Sequence, residues 1–191
     1  MYSLILRSND RYAAHQIVDA RMRDCNEPVR WGQYDDGTIE IRSHRPIDTG
    51  WEEKPVPDTG MKIRFQVDCQ VRVHHRDHTG RQQRPVNLDY TRNLDWLERQ
   101  APTAGLEIEA VDFDPVHIQI NRWQRNKHPA VIRRHNIRLE SMYPFTLSAS
   151  RFRGIARVIS AELFDEALAS IPTGNPKAFG LGFILFKPTG Q

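Results

Sequence analysis

The chain opens on a short apolar block, residues 2–7, that stops at Ser8-Asn9-Asp10, residue types that cap helix N-termini. Tyr12, Ala14, His15, Ile17, Val18 and Met22 then recur at helical spacing, so the opening predicts strand, cap and helix. Pro28 ends that helix, and residues 29–34 and 38–43, joined by Asp35-Asp36-Gly37, predict two short strands about a tight turn. Residues 46–60, with three prolines, two Thr-Gly pairs and little periodicity, read as a connector, which places a boundary near residue 59.

Strict alternation of apolar and polar positions resumes from Lys62 to Val73, the period of a half-buried strand, and ends in a polar turn over 74–84. Leu94, Trp96 and Leu97 predict a helix over 91–103, closed by Pro102 and Gly105, and 106–113 returns as a strand. Residues 116–139 alternate again on either side of a basic loop, which suggests a long β-hairpin inserted before the next strand, 152–159. A helix over 161–171 and a final strand over 183–186 complete the chain. From residue 61 this order is the split β-α-β of a ferredoxin-like fold, and the β-α-β-β opening of the chain hints at a structural duplication.

At 191 residues the chain can bury a core without disulfide or metal staples. No apolar run approaches the ~18 residues of a membrane span, and the N-terminal block meets Arg7 too soon for a signal peptide. With two cysteines, Cys25 and Cys69, and no CxxC pair, the expected compartment is a reducing cytoplasm. Net charge is only +3, but its distribution is uneven: residues 121–160 carry nine cations against Glu140 alone, while every other stretch is slightly acidic. Of the 27 cations, 22 are arginine, whose planar fork suits phosphates and base edges better than the point charge of lysine. A polyanion is the expected partner.

Three constellations bear on chemistry. The segment Gly174-Asn-Pro-Lys177-Ala-Phe-Gly180-Leu-Gly182 leads from a helix into a strand, opposite to a Walker loop or a dinucleotide fingerprint, which run from strand into helix. It reads equally as a tight connection or as a loop admitting close backbone approach by a bulky ligand, with Lys177 available for a phosphate. His74, His75, Asp77 and His78 have no Cys pair or helical i, i+4 frame to fix a metal, and read as a solvated turn; no metal and no cofactor are expected. Tyr12 and His15, three residues apart on one predicted helix, share a face. An imidazole can take a proton from a ribose 2′-hydroxyl or give one to a departing 5′-oxygen, and a phenol can position the same phosphate, although a histidine so placed is more often structural.

Together these segments resemble the CasE branch of the CRISPR-associated endoribonucleases. The resemblance lies in the opening strand with Tyr12-Ala-Ala-His15-Gln, in Ile41-Arg-Ser-His-Arg-Pro, in the strand from Met61 and the helix Leu94-Asp-Trp-Leu-Glu-Arg, and in the ending Phe152-Arg-Gly-Ile-Ala-Arg-Val followed by Gly174-Asn-Pro-Lys-Ala-Phe-Gly-Leu-Gly. It implies an α+β fold of two ferredoxin-like (RRM-like) domains in tandem, 1–58 and 59–191, the second with the inserted basic β-hairpin and the Gly-rich loop. It implies a monomer when free that cleaves precursor CRISPR RNA at repeat hairpins without metal, leaves a 5′-hydroxyl and a 2′,3′-cyclic phosphate, keeps the product, and joins surveillance-complex subunits. The family's active-site pair falls on Tyr12 and His15. RNA contacts are expected from Arg122, Arg125, Lys127, Arg133, Arg134, Arg138, Arg151, Arg153 and Lys177, with Gly174, Gly180 and Gly182 shaping the loop. The chain is short between residues 43 and 60, where relatives carry more sequence. A non-catalytic RNA clamp and a module that meets an acidic protein are the competing readings.

Overall fold

The computed structural model describes residues 1–22, 30–69, 71–73, 79, 86–87, 90–125, 140–170 and 181–189, with backbone alone for 72–73, 86–87, 90, 118–125, 140–145 and 169–170. Two four-stranded antiparallel sheets dominate it. The first is built from β1 (Tyr2–Arg7), β2 (Arg30–Gln33), β3 (Thr38–Ser43) and β4 (Glu52–Glu53), in the order β2-β3-β1-β4, with helix α1 (Arg11–Met22) between β1 and β2. Its apolar face, Leu4, Trp31, Ile39 and Ile41, packs on Ala14, Val18 and Met22 of α1. That is the β-α-β-β opening the periodicity predicts. Where a complete ferredoxin-like plan has its second helix, residues 44–51 run as irregular backbone with bends and one turn at 49–50. Ile47 and Trp51 from this stretch cover the core edge instead, and Asp48 ties it to α1 through Arg21 at 3.0 Å.

The second sheet contains β5 (Lys62–Cys69), β8 (Leu106–Arg125), β9 (Glu140–Val158) and β10 (Ile184–Pro188), in the order β10-β5-β9-β8. Numbered along the chain from β5, this is 4-1-3-2, the ferredoxin-like order, and the first sheet reads the same way. A two-stranded ribbon, β6 (Arg72–Val73) with β7 (Val86–Asn87), lies between β5 and the helix α2 (Tyr90–Gln100). Helix α3 (Ala161–Ser170) follows β9. One face of the sheet, including Ile63, Phe65, Val67, Phe152 and Ala156, forms the larger core with Leu97 of α2 and Phe164 and Leu168 of α3. Phe152 is fully buried, 5.3 Å from the Phe113 ring and 6.2 Å from Trp96 between centroids.

The strand expected over 106–113 runs on into the first half of the hairpin expected over 116–139, and the strand expected over 152–159 begins already at Glu140: β8 and β9 pair from Leu106↔Val158 to Arg125↔Glu140 with one register shift, while residues 126–139 lie outside the described residues. The register shift is a bulge between Ile108 and Ala110. The extra residue switches the alternation, so Leu106 and Ile108 before it and Val111 and Phe113 after it all pack on the same core. Strand β5 stops pairing with β9 at Cys69↔Ser150. Beyond Ser150, β8 and β9 pair with each other as a two-stranded arm of about 10 residue pairs, roughly 30 Å long at the usual rise per residue.

The second face of the first sheet meets the second sheet. Gly32 allows the approach, because a Cβ there would lie 2.5 Å from Phe183 Cδ1. Arg42, 1% exposed, donates from Nη1 to the Ile184 carbonyl at 2.7 Å and from Nε to Glu40 at 2.7 Å, with its guanidinium over Phe183 at 4.2 Å. Lys54 and the Tyr34 hydroxyl also donate to Glu40, at 2.5 and 2.8 Å. Burial, reinforced by Arg42, pulls the Lys54 ammonium down to about 8, and burial beside Glu40 raises the Tyr34 phenol. Burial alone would raise Glu40, but Arg42 and Lys54 outweigh it and hold the carboxyl below its ordinary value. Among the described residues no helix is long and apolar enough to cross a membrane.

Candidate active site

Helix α1 starts as Ser8-Asn9-Asp10 predicts. The Asp10 carboxylate accepts from the Tyr12 and Ala13 amides at 3.1 and 3.3 Å, satisfying donors that a helix leaves open at its first turn. Cap and helix together fix the directions of Tyr12 and His15, whose ring centroids stand 6.4 Å apart with planes tilted by 55°. Both side chains are half-buried, so they are shaped by the protein yet open to a ligand. His15 Nδ1 lies 3.7 Å from the exposed Asp19 carboxylate one turn on. Helix α1 also packs against β8, the first strand of the long hairpin, which sets the Tyr12–His15 helix beside the root of the arm.

Arg11 leads into the inter-sheet contact. A cation in the first turn opposes the helix dipole, and here it is buried: Nη2 donates to Asp68 Oδ2 of β5 at 2.6 Å. Asp68 in turn accepts from Arg151 of β9, Nε to Oδ1 and Nη2 to Oδ2, both at 2.7 Å. Arg151 and Arg153 each donate further to Asp35 in the β2–β3 turn, and Arg153 reaches Gln66 at 3.2 Å. The bonds to Asp68 raise Arg151 above its usual value, whereas burial pulls Arg11 below its own despite Asp68. Arginine, aspartate, arginine and aspartate thus run in sequence from the catalytic-candidate helix to the strand of the arm and back to the first sheet.

The expected site residues therefore fall into distinct places. Tyr12 and His15 are together on α1. Arg151 and Arg153 sit at the base of the arm, with their forks engaged by carboxylates. The backbone carries Arg122, paired with Tyr143, and Arg125, paired with Glu140, to the far end of the arm. Gly182 has φ +79°, a left-handed conformation suited to glycine, and its N–H donates to the Asp68 carbonyl at 2.6 Å. Lys127, Arg133, Arg134, Arg138, Gly174, Lys177, Gly180 and the cluster His74, His75, Asp77 and His78 lie outside the described residues. Sequence reasoning missed Arg11, Asp35 and Asp68. For Arg11 a signal existed, a cation at a helix start, but Asp35 reads as a turn residue and Asp68 as a polar position of an alternating strand. An apolar cleft of about 250 Å³, lined by Trp96, Leu97, Leu163 and Ile184 among others, opens on the helical side of the second sheet, opposite the face that carries Arg151.

Solved structures share this architecture. Cse3 of Thermus thermophilus bound to an RNA representing a pre-cleavage complex superposes with a TM-score of 0.64 at 16% identity, over 98% of both chains. Cas6e from Escherichia coli K-12 gives 0.60 at 15% identity, over 98% of this chain and 100% of that one. A chain of a CRISPR RNA-guided surveillance complex gives 0.56 at 15% identity, again over 98% and 100%. At such identities the likeness establishes the fold, and no curated protein sequence matches. A family model described as CRISPR associated protein, however, matches residues 4–188, nearly the whole length, and the chain therefore belongs to that CRISPR-associated protein family.

Proposed function

We propose that the protein is an endoribonuclease that cuts precursor CRISPR RNA at the base of repeat hairpins and retains the product. The observation that carries this reading is the half-buried Tyr12–His15 pair, 6.4 Å apart, on a helix packed beside the root of a long hairpin arm. Two-stranded ribbons of that length are marginal alone in water, and one whose sequence gathers six cations between residues 122 and 138 is suited to close on a polyanion. Phosphate contacts would supply most of the affinity, since the deep major groove of A-form RNA admits side chains poorly.

RNA contains its own nucleophile. The 2′-hydroxyl gives up its proton and attacks phosphorus, the bond to the 5′-oxygen breaks and that oxygen takes up a proton, leaving a 2′,3′-cyclic phosphate and a 5′-hydroxyl. His15 serves one of the two proton transfers, Tyr12 positions the attacking oxygen, and a cation from the basic segment offsets charge developing on the phosphorane. No step in this sequence calls for a metal or a cofactor. The division of the chain into 1–58 and 59–191 assigns Tyr12 and His15 to one domain and the RNA grip to the other. The pre-cleavage RNA complex and the surveillance complex of similar fold support RNA as ligand and a multi-subunit particle as destination.

The test is incubation with labelled CRISPR repeat hairpins of the protein's own genome in excess EDTA, beside His15→Ala. Cleavage at one site by the wild type, with a cyclic-phosphate end, and loss of cleavage in His15→Ala at an affinity within about threefold, is the expected result. Tight binding without any cut would replace the nuclease with an RNA clamp.

A further inference from the structure

We propose that Asp68 is a positioning residue for the cleavage reaction, holding the helix that carries Tyr12 and His15 in register with the arm and with the end of the Gly-rich loop. The inference rests on the nuclease reading above and adds to it a residue that touches no RNA. Three separate parts of the molecule meet at this one residue. Its carboxylate takes Arg11 from α1 on Oδ2 and both Nε and Nη2 of Arg151 from β9. Its backbone carbonyl takes the N–H of Gly182, whose positive φ lets the chain turn there.

The placement of Arg11 gives the contact its leverage. Arg11 directly precedes Tyr12 and lies one helical turn before His15, so on a helix Arg11 and His15 share a face. Arg11 is buried with Ala14, Val18 and Met22, and its ion pair with Asp68 spans 57 residues of sequence and joins α1 to β5 of the second sheet. Both partners are almost without solvent, at 8% and 3% side-chain exposure, so the pair is little screened and sharply directional. Asp35 closes the circuit on the far side by accepting from Arg151 and Arg153. A helix pinned at its first turn in this way cannot slide along β8. Since misplacing a reacting group by about 1 Å can cost 100-fold in rate, the pinning affects chemistry far more than it affects RNA affinity, which the arm carries.

The experiment compares the wild type with Asp68→Asn, Arg11→Met and the double variant in single-turnover cleavage of the repeat hairpin at saturating protein. Hairpin Kd, thermal stability and amide hydrogen exchange without RNA are measured alongside. Expected are cleavage rates about 10- to 100-fold lower in each single variant, Kd within about threefold, and a double variant no slower than Asp68→Asn, because both substitutions break one contact. Amides of α1 should lose protection in Asp68→Asn, while those of β5 and β9 and that of Gly182, which a backbone carbonyl holds, keep theirs. Wild-type rates in both single variants would overturn the proposal. So would a parallel loss of rate, affinity and protection throughout the sheet, the mark of a purely structural residue. If the wild type does not cleave, the nuclease reading fails and the positioning of a reaction fails with it; selective loss of α1 protection would then show an anchor without a reaction to serve.

Discussion

Replacing Glu40 by Leu should be among the most destabilising single changes in the first sheet. The carboxylate is 1% exposed and accepts from Arg42 at 2.7 Å, Lys54 at 2.5 Å and Tyr34 at 2.8 Å. Without it Arg42, equally buried, keeps the Ile184 carbonyl and the ring faces of Phe183 and Phe186 but faces no opposite charge in this cluster. Breaking a buried pair from one side costs about 3–5 kcal/mol, a large part of the roughly 5–15 kcal/mol that holds a typical domain folded. Arg42→Leu should cost less, because Lys54 and Tyr34 still face Glu40. The double variant Glu40→Leu/Arg42→Leu should be less destabilised than Glu40→Leu alone, since a hydrophobic pair strands no charge between the sheets. Urea unfolding of the four proteins at pH 7 measures the coupling directly. A cost below about 1 kcal/mol for Glu40→Leu, or additive costs in the double variant, would refute the argument.

The same cluster makes a prediction about pH. Lys54 titrates near 8 when folded against an ordinary 10.5, so the unfolded chain holds more protons between those values and the Lys54 contribution to stability rises with pH across that window. Relative to Lys54→Met, the wild type should gain stability from pH 8 to 10, by on the order of 3 kcal/mol at most; parallel pH profiles would show that Lys54 is not desolvated. Glu40 has the same sign in a more acidic window: its contribution is full above the ordinary carboxyl value and disappears as pH falls through its depressed folded value. Phe152→Ala should cost about 3–5 kcal/mol in chemical denaturation, given full burial against Phe113 and Trp96, and a loss under 1 kcal/mol would mean the core closes over the gap. Gly32→Ala should cost about 1–3 kcal/mol, because the Phe183 ring it would strike is held under Arg42; an unchanged melting temperature would show that β2 moves aside freely. Charge reversal at Arg133 and Arg134 should weaken hairpin binding and flatten its salt dependence, and unchanged binding would remove this segment from the RNA grip.

Much of the architecture is local in origin and was therefore readable along the chain. Asp10 caps α1 because its side chain reaches amides two and three residues on, and the alternation from Lys62 to Cys69 buries Ile63, Phe65 and Val67 whatever lies beyond. Tyr12 and His15 share a helix face by spacing alone, so the candidate pair could be named without coordinates. The arm was legible in its alternation but not in its continuity, because the apolar positions change parity between Phe113 and Val116, which makes one strand look like two, although the pairing with β9 runs on through Asp114 and Pro115.

What the chain by itself determined is the set of elements, their periods, the cationic segment at 121–160 and the pairing of Tyr12 with His15, since each depends on neighbours within a few positions. Only the tertiary structure decided that Arg11 turns inward to Asp68, that Arg151 and Arg153 meet Asp35, and that Arg42 enters the contact between the sheets. Those contacts join residues 57 to 142 positions apart. An isolated arginine or aspartate carries no mark of its partner: the attraction that selects the pair operates only after two sheets have excluded the water between them.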